Sequence, residues 1–198
     1  MNRFRFFDIF ISFIALTLLF PFLIIIFLII TLDSKGAAIF RQARVGLNNA
    51  DFVLFKFRTM FRDTGKKSSL TIGERDARIT KVGYFLRKWK LDELPQLWNV
   101  LIGDMSMVGP RPELRRYVNY YTPSEMEILK TKPGITDYAS LHFRNEAKLL
   151  SEQQNPEEYY IKVILPKKIT LNKYYIQAKT LKNYFRILFA TILSIIKV

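Results

Sequence analysis

The sequence predicts a predominantly α-helical protein with a small β-hairpin and one N-terminal membrane helix. Three patterns support this prediction. An apolar run covers residues 9–32, two short β-prone segments follow it, and apolar residues then recur at helical spacing. We therefore expect the 198-residue chain to divide into a membrane helix, residues 1–34, and one domain, residues 35–198.

The apolar run is interrupted by Pro21. A straight helix of this length could cross about 30 Å of hydrocarbon, but a proline removes one backbone donor and would divide the run into halves of about 18 Å. Both flanks of the run are basic, with Arg3 and Arg5 before it and Lys35 after it, so the positive-inside rule favours no direction. A re-entrant, Pro-broken helix and a kinked anchor that crosses once both fit this pattern.

The β-prone segments, residues 37–40 and 52–57, are separated by the turn-like residues 46–49 and predict a hairpin. In the second segment aromatic and basic residues alternate. A strand there would bury the aromatic side chains and leave Lys56 and Arg58 on the opposite face, which we expect to be solvated. The polar, glycine-containing residues 61–74 predict a mobile loop that could act as a lid.

Two amphipathic helices are predicted after Thr80 and meet near Lys90. Apolar residues recur at i, i+3, i+4 and i+7 from Val82 and again from Leu94. Asp92 is the predicted N-cap of the second helix, with Glu93 in its first turn. Residues 125–130 and 146–153 are predicted to be helical, and residues 133–134 a turn. The apolar residues 184–198 are too few to span a bilayer, so we expect them to lie at its surface or to pack against the domain.

Composition narrows the range of partners. The net charge of +14 suits nucleic acid, an anionic membrane surface or a phosphate-bearing substrate. We do not expect nucleic acid, because the basic residues are spread along the chain rather than gathered in a tail or a recognition helix. The chain has no cysteine and therefore neither disulfide bonds nor thiolate chemistry. We expect its single histidine, His142, to be structural, as solitary histidines usually are.

Two segments concentrate residues that could carry chemistry. Asp92 and Glu93 follow the basic residues Arg87, Lys88 and Lys90. A carboxylate kept ionised by a helix terminus and nearby cations can attack phosphorus or hold Mg²⁺, although the same residues could simply cap a helix and form a solvated face.

In the second segment Pro110 and Pro112 enclose Arg111. The two prolines stiffen the backbone on both sides of the arginine. Such a frame would hold the guanidinium ready to bind phosphate through two hydrogen bonds, and a plain rigid turn explains the segment equally well.

Taken in order, these segments resemble the small monotopic phosphoglycosyl transferases, the bacterial sugar transferases that start polyprenol-linked glycan assembly. The matching residues are 39–46, 55–60, 76–83, 91–101, 103–106, 108–112 and 132–136. The resemblance implies a re-entrant helix broken at Pro21 and a cytoplasmic catalytic domain. Amphipathic, interfacial helices would hold that domain on the inner (cytoplasmic) membrane of a bacterium, in contact with membrane lipid.

The resemblance also implies a reaction. Asp92 would attack the β-phosphorus of a UDP-sugar, expel UMP and carry the phosphosugar until polyprenol (undecaprenyl) phosphate accepts it. Asp92 and Glu93 would hold Mg²⁺, or Glu93 would assist proton transfer. The candidate substrate-binding residues are Arg87, Arg111, Arg58, Asn99, Pro110 and Pro112.

The chain departs from the family pattern in two places. Phe20 stands where the family usually has a serine before the proline, which removes a polar support of the helix break. Residues 137–140, Asp-Tyr-Ala-Ser, replace the usual Gly-Trp-Ala-Gln and predict a changed sugar or pocket wall. The rival functions are a membrane-anchored binding or regulatory protein without catalysis, and an enzyme that transfers the sugar alone and releases UDP. The sequence specifies neither the sugar nor the oligomeric state.

Overall fold

The computed structural model describes residues 3–61, 73 and 76–196, and it begins with a single long helix. Helix α1, Arg3–Asp33, continues through Pro21, so the predicted break into two separate helices is not observed. A proline inside a helix removes the hydrogen bond that its own nitrogen would have donated, here to the carbonyl of Thr17, and its ring clashes with that carbonyl. The two effects bend a helix without necessarily ending it, because the residues on both sides keep their hydrogen bonds. By length and composition, α1 is sufficient to cross a membrane.

One stripe of α1 packs against the domain along the whole helix. Phe4, Phe7, Ile11, Ala15 and Leu19 contact one core cluster, and Leu23, Ile26 and Ile30 contact another. The spacing of three or four residues places these side chains on one helix face. Apolar side chains on the other faces are exposed, among them Phe10, Phe13 and Leu18. Both ends of α1 therefore contact the same domain while its outer face remains uncovered.

The predicted hairpin is confirmed. Strands β1, Ile39–Val45, and β2, Asp51–Phe57, pair antiparallel from Ile39 opposite Phe57 to Val45 opposite Asp51. A 3₁₀ turn, Leu47–Asn49, joins them, and its Asn48 and Asn49 take left-handed backbone angles that asparagine tolerates. The predicted lid, residues 61–74, lies outside the described residues except for Phe61 and Gly73.

Both predicted amphipathic helices are present, as α2, Lys81–Lys88, and α3, Gln96–Ile102. The prediction that Asp92 caps α3 is wrong. Lys90 turns the chain through a left-handed conformation, a 3₁₀ turn follows at Leu91–Glu93, and Pro95 precedes α3. Asp92 thus lies inside a helical turn instead of at an extended cap position, and this turn carries both acidic residues.

A second sheet was not predicted. Strands β3, Ser106–Val108, and β4, Gly134–Thr136, pair in parallel, so Gly134 begins a strand where the sequence predicts a turn. Strands of three residues are too short to show alternation in a sequence. The two backbone segments approach so closely here that a Cβ atom on Gly134 would lie 2.1 Å from the nitrogen of Gly109.

The rest of the domain is helical. Its segments are α4 (Arg115–Val118), a 3₁₀ helix (Met126–Lys130), α5 (Tyr138–His142), α6 (Glu146–Ser151), α7 (Pro156–Tyr159), a π-helical turn (Tyr160–Ile164), α8 (Leu165–Gln177) and α9 (Leu181–Ile196). The helical predictions for residues 125–130 and 146–153 are confirmed within a few residues. Helix α9 buries Tyr184 and Ile187 in the core and exposes Phe189 and Ile196, so this segment packs on one face only.

Candidate active site

A cavity of about 1530 Å³ opens beside the 3₁₀ turn that carries the acidic pair. Its wall brings together most of the site residues predicted from the sequence. Asp92, Glu93, Arg58, Arg87, Arg111 and Pro112 line it, whereas Asn99 and Pro110 do not. The cavity also has an apolar part, which includes Ile11 and Leu19 of α1 and Leu188 and Ile192 of α9.

Glu93 is held by two cations. Arg111 donates to both carboxylate oxygens, with Nη1 3.1 Å from Oε2 and Nη2 bonded to Oε1, and Lys56 Nζ lies 3.4 Å from Oε1. Burial acts to raise the pKa of Glu93, but the charges of Arg111 and Lys56 outweigh it and hold the pKa well below its usual range. Glu93 is therefore an ionised anchor for the two cations.

Asp92 has the opposite environment. It is 8% exposed, and its carboxylate makes no hydrogen bond to any residue that the structure describes. Burial and the adjacent charge of Glu93 raise the pKa of Asp92, while Lys56, Arg87 and Lys90 partly oppose them. Neighbouring acids whose pKa values are moved in opposite directions generally have different roles. Asp92 is the carboxylate left free to act as a nucleophile or a metal ligand.

Lys56 is a site residue that the sequence analysis missed. Alternation along β2 correctly separates Lys56 from the neighbouring aromatic residues, but the expected solvated face is wrong. The 3₁₀ turn with the acidic pair packs over this face, and the Lys56 side chain is 17% exposed. Burial lowers the pKa of Lys56, and the carboxylate of Glu93 opposes that effect. Lys56 therefore places a cation beside Glu93, and its charge also lowers the pKa of Asp92.

The position of Arg111 is set by its backbone. Its N–H donates to Asp137 Oδ2 at 3.0 Å, and Oδ1 of the same buried carboxylate accepts the N–H of Ser140. The carbonyl of Pro110 accepts the N–H of Gly134 at 3.0 Å. Pro110 thus acts from outside the cavity, by joining the arginine loop to β4. Asp137 belongs to the segment in which the sequence analysis expected a changed pocket wall, and it lines the cavity and fixes the arginine that binds Glu93.

Arg87 is the other arginine that lines the cavity as predicted. It stands in the last turn of α2, half-buried. Among the described residues its side chain forms no hydrogen bond or ion pair, so its guanidinium is available to an anionic group that enters the cavity.

Arg58 and Asn99, both predicted to bind substrate, make structural contacts within the protein, and their substrate contacts stay a prediction. Arg58 donates to the carbonyls of Ile30, Ser34 and Ala37, at 2.9, 2.6 and 2.9 Å, and so fastens the end of α1. Asn99 is fully buried. Its Oδ1 accepts the N–H of Phe55, and its Nδ2 donates to Val53 and Asp104. The amide thereby ties α3 to β2, because those two strand groups point away from the hairpin.

The chain matches the family model described as bacterial sugar transferase over residues 2–198. One relative is the UDP-N-acetylgalactosamine-undecaprenyl-phosphate N-acetylgalactosaminephosphotransferase of Aeromonas hydrophila, which is 39% identical to this chain over 137 residues. The aligned residues make up 68% of this chain and 32% of the relative. The chain is also 38% identical over 161 residues to the UDP-glucose:undecaprenyl-phosphate glucose-1-phosphate transferase of Escherichia coli. This alignment covers 79% of the chain and 35% of the relative.

Another relative extends the match to almost the whole chain. The undecaprenyl-phosphate glucose phosphotransferase of Komagataeibacter xylinus is 35% identical over 195 residues, or 95% of this chain and 35% of the relative. The chain spans about a third of the length of these three relatives. Because the family model covers all but the first residue, the chain belongs to the bacterial sugar transferase family.

Proposed function

We propose that the protein is a phosphoglycosyl transferase that moves a sugar-1-phosphate from a UDP-sugar to polyprenol (undecaprenyl) phosphate and releases UMP, as the first membrane step of glycan assembly. The observation that carries the proposal is the pair of adjacent carboxylates in one cavity, one held by two cations and one free. The names of the relatives, which specify undecaprenyl phosphate as acceptor, support the choice of reaction.

The proposed course has two displacements. A carboxylate oxygen of Asp92 forms a bond to the β-phosphorus, the bond from that phosphorus to the bridging oxygen breaks, and UMP leaves with that oxygen. The phosphate of the polyprenol then attacks the same phosphorus and displaces Asp92, which yields polyprenol diphosphate sugar and the free carboxylate. Covalent catalysis of this kind divides one difficult step into two easier ones.

The surrounding cations have distinct tasks in this course. Arg87 is free to bind the diphosphate, and Arg111 is held in place by Asp137 and Glu93 with 31% of its side chain exposed to the cavity. Both arginines would neutralise charge that develops on the phosphate oxygens. Burial and Glu93 raise the pKa of Asp92, and Lys56 opposes them and so favours the ionised form that would attack.

The donor set fits Mg²⁺ in part. The described residues contain no group of three acidic, histidine or cysteine side chains that could enclose a metal ion. Mg²⁺ commonly uses one or two carboxylates together with substrate phosphates, and Asp92 supplies one carboxylate without a protein partner. Glu93 fits less well, because Arg111 and Lys56 already occupy its oxygens. Bound there with the diphosphate, the ion would offset phosphate charge.

We further propose that α1 is re-entrant and that the domain lies on the cytoplasmic face of the inner membrane. A helix that crosses places its ends on opposite sides of about 30 Å of hydrocarbon. Here the first turns of α1 contact β3 and α3, and its last turns contact Phe57 of β2 and Leu86 of α2. These contacts bring both ends to one domain. Exposed aromatic residues of α2 and α3, Phe85 and Trp98, suit an interfacial position.

The test is nucleotide release by the purified protein with Mg²⁺, a panel of UDP-sugars and undecaprenyl phosphate. We expect UMP with at least one donor, and loss of UMP release in Asp92→Asn. Asp51→Asn is the matched control, since Asp51 makes an exposed ion pair with Arg115 and should release UMP at the wild-type rate. Without acceptor, the wild type should release about one UMP per protein molecule and stop.

Three outcomes would contradict the proposal. Normal turnover by Asp92→Asn would exclude the covalent course. Release of UDP would indicate transfer of the sugar alone. Absence of any nucleotide release, combined with salt-sensitive lipid or DNA binding that is indifferent to Asp92, would indicate the non-catalytic binding protein instead.

A further inference from the structure

A second basic cluster lies outside the cavity, where α1 and α9 begin. It consists of Arg5 in the first turns of α1, Lys132 just before β4, and Lys179 just before α9. Arg5 donates to the carbonyls of Val100 and Leu101, at 2.5 and 2.8 Å, at the C-terminal end of α3. A Cβ atom on Gly103 would lie 3.4 Å from Arg5 Nη2 and 3.9 Å from Lys132 Nζ, so these two cations approach the same point.

The three cations of this cluster have two acids nearby, Asp8 and Asp104, and both acids already accept hydrogen bonds. Oδ1 of Asp8 accepts from Ser106 Oγ, the Met107 N–H and Tyr184 Oη, and Oδ2 of Asp104 accepts from Asn99 Nδ2. Within the described part of the chain, the side chains of Lys132 and Lys179 form no hydrogen bond or ion pair. Burial and the charge of Arg5 lower the pKa of Lys132, and the charges of Asp8 and Asp104 only partly oppose them. Burial and the charge of Lys132 also lower the pKa of Lys179, against the opposing effect of Asp8. An additional anion would relieve this repulsion.

An exposed aromatic surface adjoins the cluster. The first turns of α1 and α9 pack side by side, with the rings of Phe7 and Phe185 5.0 Å apart. Lys179 Nζ lies 5.0 Å from the centre of the Phe4 ring, at the edge of this contact. Phe6, Phe10 and Phe185 are each at least 40% exposed there. Cations at the border of an exposed apolar helix surface are typical of sites that face lipid headgroups.

We propose that Arg5, Lys132 and Lys179 bind the phosphate of an anionic phospholipid, with the acyl chains against the aromatic surface of α1 and α9. The combination of cations and apolar rings favours a lipid over a free phosphate, because a free phosphate has no group to place on the rings. None of the three cations lines the catalytic cavity. The acidic pair lies at the other end of α3, so this lipid site is separate from the substrate phosphates. The inference does not depend on the proposed reaction.

The experiment follows the melting temperature of the full-length protein in a zwitterionic detergent while dioleoylphosphatidylglycerol is added. Dioleoylphosphatidylcholine and inorganic phosphate are added in parallel. A ligand that binds only the folded state raises the melting temperature with its concentration. The test variant is Lys132→Gln/Lys179→Gln. The control is Lys148→Gln/Lys167→Gln, which removes the same charge from exposed residues of α6 and α8. Arg5 is left intact because it also binds α3.

We expect phosphatidylglycerol to stabilise the wild type and the control alike. The test variant should need about 30-fold more phosphatidylglycerol for the same rise, since each basic residue near the headgroups contributes on the order of a 5-fold gain. Equal responses of test and control variants would overturn the proposal, as would equal effects of the two lipids. Stabilisation by inorganic phosphate alone would replace the lipid with a free anion. If the double variant melts early without lipid, the two single substitutions provide the same comparison.

Discussion

Asp92 and Glu93 are neighbours in the chain, yet their carboxylates meet different surroundings. Glu93 points to Arg111 and Lys56, whereas Asp92 has no hydrogen-bonding partner in the described part of the chain. The 3₁₀ turn produces this difference, because consecutive residues of such a turn project in directions about 120° apart. One acid can therefore organise the site while the next one faces the cavity.

Lys56→Met tests the electrostatic role of the missed lysine. Lys56 lowers the pKa of Asp92, so its removal should raise that pKa and protonate the proposed nucleophile at a higher pH. We expect kcat/KM for UMP release to fall about a hundredfold at pH 7 and its acidic limb to move to higher pH. A pH profile of UMP release measures both effects. Lys167→Met should leave the pH profile unchanged. If an active Lys56→Met protein keeps its acidic limb at the wild-type pH, the electrostatic role of Lys56 is refuted.

At the scale of elements, short segments are held by a few buried polar contacts. Asp8 of α1 binds β3 and α9, Asn99 binds α3 to β2, and Asp137 binds the Arg111 loop to α5. Each of these side chains satisfies backbone groups that the short elements leave unpaired. The geometry of the candidate site thus depends in part on two side chains outside the cavity, Asp8 and Asn99.

Asp8→Asn should weaken the attachment of α1. The substitution removes the charge that three donors share, at a cost of about 2 kcal/mol. We expect a melting temperature several degrees lower in detergent. Asp33→Asn, at the other end of the same helix, is the control: Oδ2 of Asp33 is buried without a partner among the described residues. A loss of stability in Asp33→Asn as large as in Asp8→Asn would contradict the proposed attachment.

Gly134→Ala should separate β3 from β4. Its Cβ atom would lie 2.1 Å from the nitrogen and 2.5 Å from the oxygen of Gly109, and neither backbone atom can move without displacing the Arg111 loop. We expect both lower thermal stability and at least a tenfold loss of UMP release. In Gly46→Ala the new Cβ atom would lie closest to the ring edge of Phe52, a side chain that can rotate. We therefore expect smaller losses of thermal stability and of UMP release in this variant. The two variants are compared by calorimetry and by the UMP assay.

At the scale of the whole molecule, a long apolar helix is joined to one domain at both ends. Arg5 and Asp8 fix its beginning, and Arg58 binds the carbonyls at its end. The outer face of α1 and the exposed residues of α9 form apolar surfaces without a protein partner in the described regions. A membrane is the environment that can cover such surfaces while the basic flanks stay in water.

Cysteine labelling tests the topology directly, because the chain has no cysteine of its own. Arg3→Cys and Lys35→Cys place single thiols at the two exposed flanks of α1. With a membrane-impermeant maleimide added to intact spheroplasts, we expect neither thiol to react until the membrane is permeabilised. Labelling of one thiol but not the other in intact spheroplasts would show that α1 crosses the membrane.

The parts of the fold with a clear period could be predicted from the sequence. The hairpin, α2, α3 and the apolar helix follow from alternation, helical spacing and length, and the order of the motifs identified the family and singled out Asp92 and Glu93. The β3–β4 pair could not be predicted, because three-residue strands have no measurable period. The cap assigned to Asp92 failed because the left-handed Lys90 starts the helical turn before it.

Only the tertiary structure decided how the predicted residues divide their roles. The sequence by itself determined which side chains share a face of a strand or helix, and it placed Lys56, Arg58 and Asn99 near the motifs. What covers each face depends on contacts between distant segments. Those contacts bury Lys56 against the acids, direct Arg58 to the end of α1 and use Asn99 to join α3 to β2. Periodicity describes one element at a time, whereas burial and charge pairing arise only when elements pack together.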